Sequence, residues 1–135
     1  MNYNYDKIVN ESIKKYCSKK LRLTQTYLLK LFNDYSNDKD KHIVELTDVI
    51  LHMTWKLIMQ LQYGVPKEDK YDISMESYEY VLSMIHTIPI DGSVQVFNWL
   101  TTLVRTGIRK GWRKHFKKDD CIDVISYSNW EDINI

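Results

Sequence analysis

Apolar residues recur at three- and four-residue spacing along most of this chain, and the clearest instance spans residues 96–118. There Val96, Leu100, Leu103, Val104, Ile108 and Trp112 fall on one side of a helix, because about 3.6 residues complete a turn. Asn98, Thr102, Thr106, Arg109, Arg113 and Lys117 fall on the other side, with Trp99 at the seam. Residues 43–63 form the longest periodic run, with Ile43, Leu46, Val49, Ile50, Met53, Leu57, Ile58 and Leu61 on the apolar face. Gly64 and Pro66 stand where a helix should stop. Residues 6–22 carry Ile8, Val9, Ile13, Tyr16 and Cys17, with Asp6 as the expected cap. Residues 24–35 carry Tyr27, Leu28, Leu31 and Phe32, with Thr24 in the same role. The stretch 36–41, SNDKDK, reads as a loop, and so does 67–71, KEDKY. A further helix is expected over 72–88, capped at or near Asp72. Ile73, Tyr80, Val81, Met84, Ile85 and Ile88 lie on its apolar face and Glu76, Glu79 and Ser83 on the other. Pro89 and Asp91-Gly92 break the chain before the helix that opened this paragraph. With four Gly, two Pro and no strand–turn–strand pattern, the expectation is an all-α domain of about five helices.

The length, 135 residues, suits one domain with a real core. Hydrophobic residues make up 44% and charged residues 27%, which argues against global disorder. A formal net charge of +1 selects no partner, but its distribution is uneven. Arg105, Arg109, Lys110, Arg113, Lys114, Lys117 and Lys118 crowd into one stretch. The tail 119–135 then holds Asp119, Asp120, Asp123, Glu131 and Asp132 and no Lys or Arg. This tail is expected as a short helix or as a segment that orders on a partner. Cys17 and Cys121 lack the spacing of a metal or redox motif and read as reduced thiols. No apolar run approaches the roughly 20 residues that span a bilayer, and the N-terminus has no secretory apolar region, so a cytoplasmic protein is expected.

No catalytic pattern emerges. His42, His52, His86 and His115 make no zincin pair, two cysteines are too few for a zinc finger, and no phosphate-binding glycine loop or nucleophile elbow is present. The carboxylates Glu45 with Asp48, and Glu76 with Glu79, read as solvated helix faces. The expectation is a non-enzyme with no cofactor and no metal. The basic face of 96–118 points elsewhere. Its cations recur at Arg105, Arg109 and Arg113 and at Lys110, Lys114 and Lys117, in stripes rather than scatter. Thr102 and Thr106 share that face as potential donors to phosphates or base edges, and Trp99 sits at its edge. Cations interleaved with an aromatic fit single-stranded or melted nucleic acid, with phosphates supplying affinity and the ring stacking on a base.

Residues 72–114 resemble region 2 of bacterial sigma factors. The family's first-helix pattern reads here as Asp72, Ile73, Glu76, Val81, Met84, Ile85 and Ile88. The loop PIDGSVQ follows, and the second-helix pattern reads as Val96, Trp99, Leu100, Leu103, Val104, Arg105 and Thr106, then Trp112, Arg113 and Lys114. The basic end and the small size are similar to the late-gene sigma factors of tailed bacteriophages, and the likeness covers roughly 43–118. It implies a factor that binds bacterial-type core RNA polymerase and opens a −10-type promoter element in the cytoplasm of an infected cell. DNA contacts would fall to Asn98, Trp99, Thr102, Arg105, Thr106, Arg109, Lys110, Arg113, Lys114 and Lys117. Asp91, Gly92, Ser93 and Gln95 would form the promoter-base loop, and Glu76, Glu79 and Ser83 would meet the polymerase clamp helices. Trp130, Glu131, Asp132 and Ile133 would bind a sliding clamp or other coactivator.

The sequence departs from the family pattern at Met75, at Val96, and at Thr102 and Leu103, where housekeeping factors place paired tryptophans. The implied division is an N-terminal helical segment at 1–42, a region 2-like core at 43–118 and an acidic tail at 119–135. Two other readings are a viral all-α interaction module, such as a Bcl-2-like cell-death inhibitor whose central helix would be 93–112, and an inhibitor of a host enzyme.

Overall fold

A computed structural model of the chain describes residues 5–17, 21–60 and 67–116. The described residues are all-α. They form α1 (Tyr5–Tyr16), α2 (Gln25–Asn37), α3 (Lys39–Gln60), α4 (Lys67–Met84) and α5 (Val96–Phe116), with a 3-10 turn at Ile85–Thr87.

Local chemistry accounts for several boundaries. The Tyr27 backbone N–H donates to Thr24 Oγ1 at 3.2 Å, which makes Thr24 the expected N-cap of α2. The expected loop at 36–41 contracts to a corner at Asp38. Asp38 leaves helical geometry, its N–H donates to the Asp34 carbonyl at 2.9 Å, and its Oδ1 accepts from the Lys41 N–H at 3.3 Å. One aspartate thus closes α2 and begins α3, so no longer connection is needed. Residues 67–71 are also helical and not a loop: α4 starts at Lys67, which puts Asp72 inside it rather than at its cap. A run of Lys and Glu has good helix propensity, and its polarity marks a solvated face rather than a break. At the N-terminus, α1 starts at Tyr5 and ends at Tyr16, so Asp6 lies within its first turn and the helix stops short of residue 22.

Helix α3 packs against each of the other four. Leu46, Val49, Ile50, Met53, Leu57 and Ile58 are buried as the periodicity predicts, but so are His52, Thr54 and Trp55 on its other side. The predicted apolar face captured only two thirds of this, because a helix surrounded by neighbours buries more than one stripe. The Thr54 hydroxyl donates to the Ile50 carbonyl at 2.7 Å, so its burial leaves no donor unsatisfied. The core is continuous from Leu28, Leu31 and Phe32 of α2, through α3, to Val96, Leu100, Val104 and Ile108 of α5. Each such aliphatic side chain contributes about 1.5–3 kcal/mol by burial. Between helices, the Tyr27 hydroxyl donates to Glu45 Oε2 at 2.9 Å, and Thr47 and Tyr78 share a hydrogen bond of 2.9 Å. Burial and the Glu45 carboxylate push the Tyr27 phenol up to about 12, so it stays a donor at neutral pH.

Along α4 and α5 a tight approach falls at glycine. A Cβ on Gly107 would lie 2.7 Å from Ser77 Oγ and 2.9 Å from Ser77 Cα, and one on Gly111 would lie 3.1 Å from Glu76 Cβ. Ser77 Oγ donates across the seam to the Val104 carbonyl at 3.3 Å. Gly107 and Gly111, four residues apart, face Ser77 and the Ile73 backbone with the Glu76 Cβ, respectively. Their lack of side chains lets the two helices meet there.

Candidate functional site

The buried face of α5 is the one the pattern predicts: Val96, Leu100, Val104 and Ile108 are fully covered, and Leu103 and Trp112 nearly so. The remaining face carries the candidate residues. Asn98, Thr102, Lys110, Arg113 and Lys114 are exposed, and Arg105, Thr106 and Arg109 are half-buried. Trp99 keeps 39% of its surface exposed, although tryptophan is usually well covered.

Trp99 stands in a groove of about 860 Å³ between α5 and the C-terminal end of α4. From α5 the lining includes Asn98, Thr102, Leu103 and Thr106. Tyr80 and Met84 come from α4, Thr87 from the 3-10 turn, and Val94 and Gln95 from the loop. Among the described residues no charged side chain lines it. Its size lies within the roughly 300–1,000 Å³ of small-ligand pockets, and its walls are aromatic and aliphatic with two carboxamides, at Gln95 and Asn98. A carboxamide both donates and accepts, as the edge of a nucleobase does. The threonines differ from expectation. Thr102 Oγ1 donates to the Asn98 carbonyl at 3.0 Å, and Thr106 Oγ1 donates to the Thr102 carbonyl at 2.9 Å. Their protons are committed to the helix, so toward the groove they offer oxygen acceptors rather than donors.

The loop is held from a distance. Gln25, the first residue of α2, donates through Nε2 to the Val94 carbonyl at 2.7 Å and accepts through Oε1 from the Val96 N–H at 2.8 Å. One side chain therefore pins the loop and caps the N-terminus of α5. Sequence reasoning missed Gln25, because its partners lie some 70 positions away and no local pattern marks it. Within the loop, Asp91 Oδ1 accepts from the Ser93 N–H at 2.9 Å, and Gly92 takes φ +88°, a left-handed geometry that favours glycine. The hydrogen bonds from Ser93 hold the Asp91 carboxyl below its usual range. Of the four candidate loop residues, only Gln95 lines the groove; Asp91, Gly92 and Ser93 are exposed on the turn beyond it.

The basic end of α5 leans on α4. Lys114 Nζ donates to Glu76 Oε1 at 2.6 Å, which raises the ammonium's pKa, and Lys110 Nζ sits 5.3 Å from the centre of the Tyr80 ring. Glu76 and Lys114, assigned by the sequence to separate partners, thus form one ion pair. Glu79 and Ser83 are exposed on α4, and the Ser83 hydroxyl donates to the Tyr80 carbonyl at 2.7 Å. Arg105 is half-buried with its Nε covered, so it serves packing as well as any outward contact. Lys117, Trp130, Glu131, Asp132 and Ile133 lie outside the described residues.

Among the described residues no group of three or more His, Cys, Asp or Glu could hold a metal ion, and no helix is long and apolar enough to cross a membrane. No family model, curated protein or solved structure matches the chain.

Proposed function

We propose that this chain is a small sigma-type initiation factor, similar to those of tailed bacteriophages. In this reading it joins bacterial-type core RNA polymerase through the exposed face of α4 and opens a −10-type promoter element with α5. It performs no chemistry itself. The observation that carries the reading is the half-exposed Trp99 in a groove whose described lining is uncharged, on the same helix as the exposed cations Lys110 and Arg113. A flipped base needs an aromatic platform without charge to desolvate, and its backbone needs cations nearby. Gln95 and Asn98 offer carboxamides to the base edge. Stacking on one tryptophan is worth about 1–3 kcal/mol, and extruding a base costs a few kcal/mol. Trp99 therefore offsets one base, and the remaining opening energy comes from the polymerase.

The cell-death-inhibitor alternative makes residues 93–112 the enclosed central helix. The side chains Asn98, Trp99, Thr102 and Lys110 are exposed on α5, so that helix is not enclosed on all sides. The sigma-type reading fits that exposure better.

The test combines the protein with bacterial core polymerase and a promoter fragment. The expected result is a stable complex on a native gel and permanganate-reactive thymines in the −10 region. Absence of core binding overturns the reading. Trp99→Ala should abolish thymine reactivity and leave core binding intact. Glu79→Lys should weaken core binding; it is a cleaner probe than Glu76→Lys, which also releases Lys114.

A further inference from the structure

A second cleft, of about 730 Å³, opens where the end of α1, the entry to α2 and the C-terminal half of α3 meet, with Phe97 of α5 in its wall. Its chemistry differs from that of the Trp99 groove. Arg22 and Lys56 line it, and among the described residues no carboxylate does. His52 adds an imidazole that is only 3% exposed. Its apolar wall includes Leu21 and Met59, which are 42% and 38% exposed and so are two of the few large hydrophobics left uncovered among the described residues. A cationic cleft with uncovered apolar walls calls for an acidic, apolar occupant.

The chain contains such a segment. Residues 119–135 hold five carboxylates and no Lys or Arg, with Trp130, Ile133 and Ile135 among them. Its reach is sufficient. Phe97 and Phe116 bound most of α5, about 28 Å at 1.5 Å per residue. The fourteen residues from Phe116 to Trp130 extend to about 46 Å, so Trp130 reaches the cleft even from the far end of α5. Among the described residues the Trp99 groove offers this segment no cation.

We propose that the acidic C-terminal segment docks in the α1–α3 cleft of its own chain. Trp130 and Ile133 pack against Leu21, Met59 and Phe97, and Glu131 and Asp132 pair with Arg22 and Lys56. The inference rests on the cleft and not on the promoter reading. It has a consequence for any protein partner of the segment, which must compete with the cleft for it.

Cys17 lines the cleft and serves as the reporter. In the 135-residue chain carrying Cys121→Ser, the rate of Cys17 alkylation by a maleimide is followed by mass spectrometry. Trp130→Ala with Ile133→Ala should speed labelling about tenfold, the factor expected when a tether supplies millimolar effective concentration to a contact of roughly 0.1 mM. Arg22→Glu with Lys56→Glu should also unmask Cys17, and adding Glu131→Lys with Asp132→Lys to that variant should restore protection. A loosened fold would expose Cys17 too, but the charge swap would not reverse it, and failure of the swap overturns the pairing. Labelling at the parent rate in the Trp130, Ile133 variant overturns the docking altogether. Protection that grows with protein concentration overturns the intramolecular form and assigns the segment to a second copy.

Discussion

The two ends of the α4–α5 pair are built from the same two helices and do opposite things. At one end Gly107 meets Ser77 and Gly111 meets the Ile73 backbone and the Glu76 Cβ, so closely that a methyl group at Gly107 has no room. At the other end Tyr80 and Met84 face Trp99 and Leu103 across an open groove. The difference lies in the size of the side chains along the seam. Small residues let backbones touch and exclude everything else. Large ones stand between the helices and leave space that they cannot fill. A ligand-sized opening thus arises beside a tight contact without any irregularity in either helix, and the tight end anchors the geometry of the open one.

The comparison can be broken most severely at the tight end. Gly107→Ala should gain up to about 1 kcal/mol of helix propensity and still lower stability in urea unfolding, because overpacking against backbone costs about 1–3 kcal/mol and often more. Gly111→Ala is a graded control: its Cβ would be 3.1 Å from Glu76 Cβ and 3.2 Å from the Ile73 carbonyl oxygen. Its net effect should stay within about 1 kcal/mol, because the propensity gain offsets a smaller clash. A Gly107→Ala protein as stable as the parent would show that the seam yields easily.

At the open end, Trp99→Ala should weaken binding of the single-stranded promoter strand by about 1–3 kcal/mol in a fluorescence titration. Its urea midpoint should stay close to the parent's, since the ring is only partly buried. Gln25→Leu removes both hydrogen bonds to the loop and should lower stability by about 1–2 kcal/mol. Faster amide exchange at Val96, but not at Val104, would show that the damage is local to the groove.

Two smaller effects sharpen the picture. Burial foremost, and then the charge of Lys56, hold the His52 imidazole below its ordinary value of 6.5, against an opposing hydrogen bond to the Tyr16 backbone. The unfolded chain therefore takes up this proton more readily than the native one. Stability from this group is complete above about pH 6.5 and declines as the pH falls below it. The urea midpoint should drop between pH 6.5 and 5, and His52→Gln should remove that part of the slope. Smallest of all, Glu76→Gln should leave the urea midpoint unchanged, because its partner Lys114 is largely exposed. It should steepen the salt dependence of DNA binding by about one phosphate contact if the freed Lys114 reaches the backbone.

Much of this architecture was legible residue by residue. The Thr24 cap, the buried stripe of α5 and the break at 89–95 all follow from short-range rules. Where local reading erred, it did so for identifiable reasons. Charge-rich stretches at 36–41 and 67–71 looked like loops, yet polarity marks exposure and not the absence of a helix. The spacing of Gly107 and Gly111 was visible as two glycines four apart in a helix, a signal of close approach that only the facing Ser77 makes meaningful. The groove was half legible. Trp99, Asn98, Thr102 and Thr106 were candidates from their own helix and Gln95 from the family resemblance, whereas Tyr80, Met84 and Thr87 were read only as part of the preceding helix.

Periodicity is a property of neighbours three and four residues apart, so it marks helices and the side each one buries. It carries nothing about which distant surfaces meet. Gln25 holding Val94 and Val96, Lys114 pairing with Glu76, and the opposed chemistry of the two clefts each join segments tens of residues apart. They exist because packing brought those segments together, and helical patterning alone is compatible with many other arrangements of the same five helices.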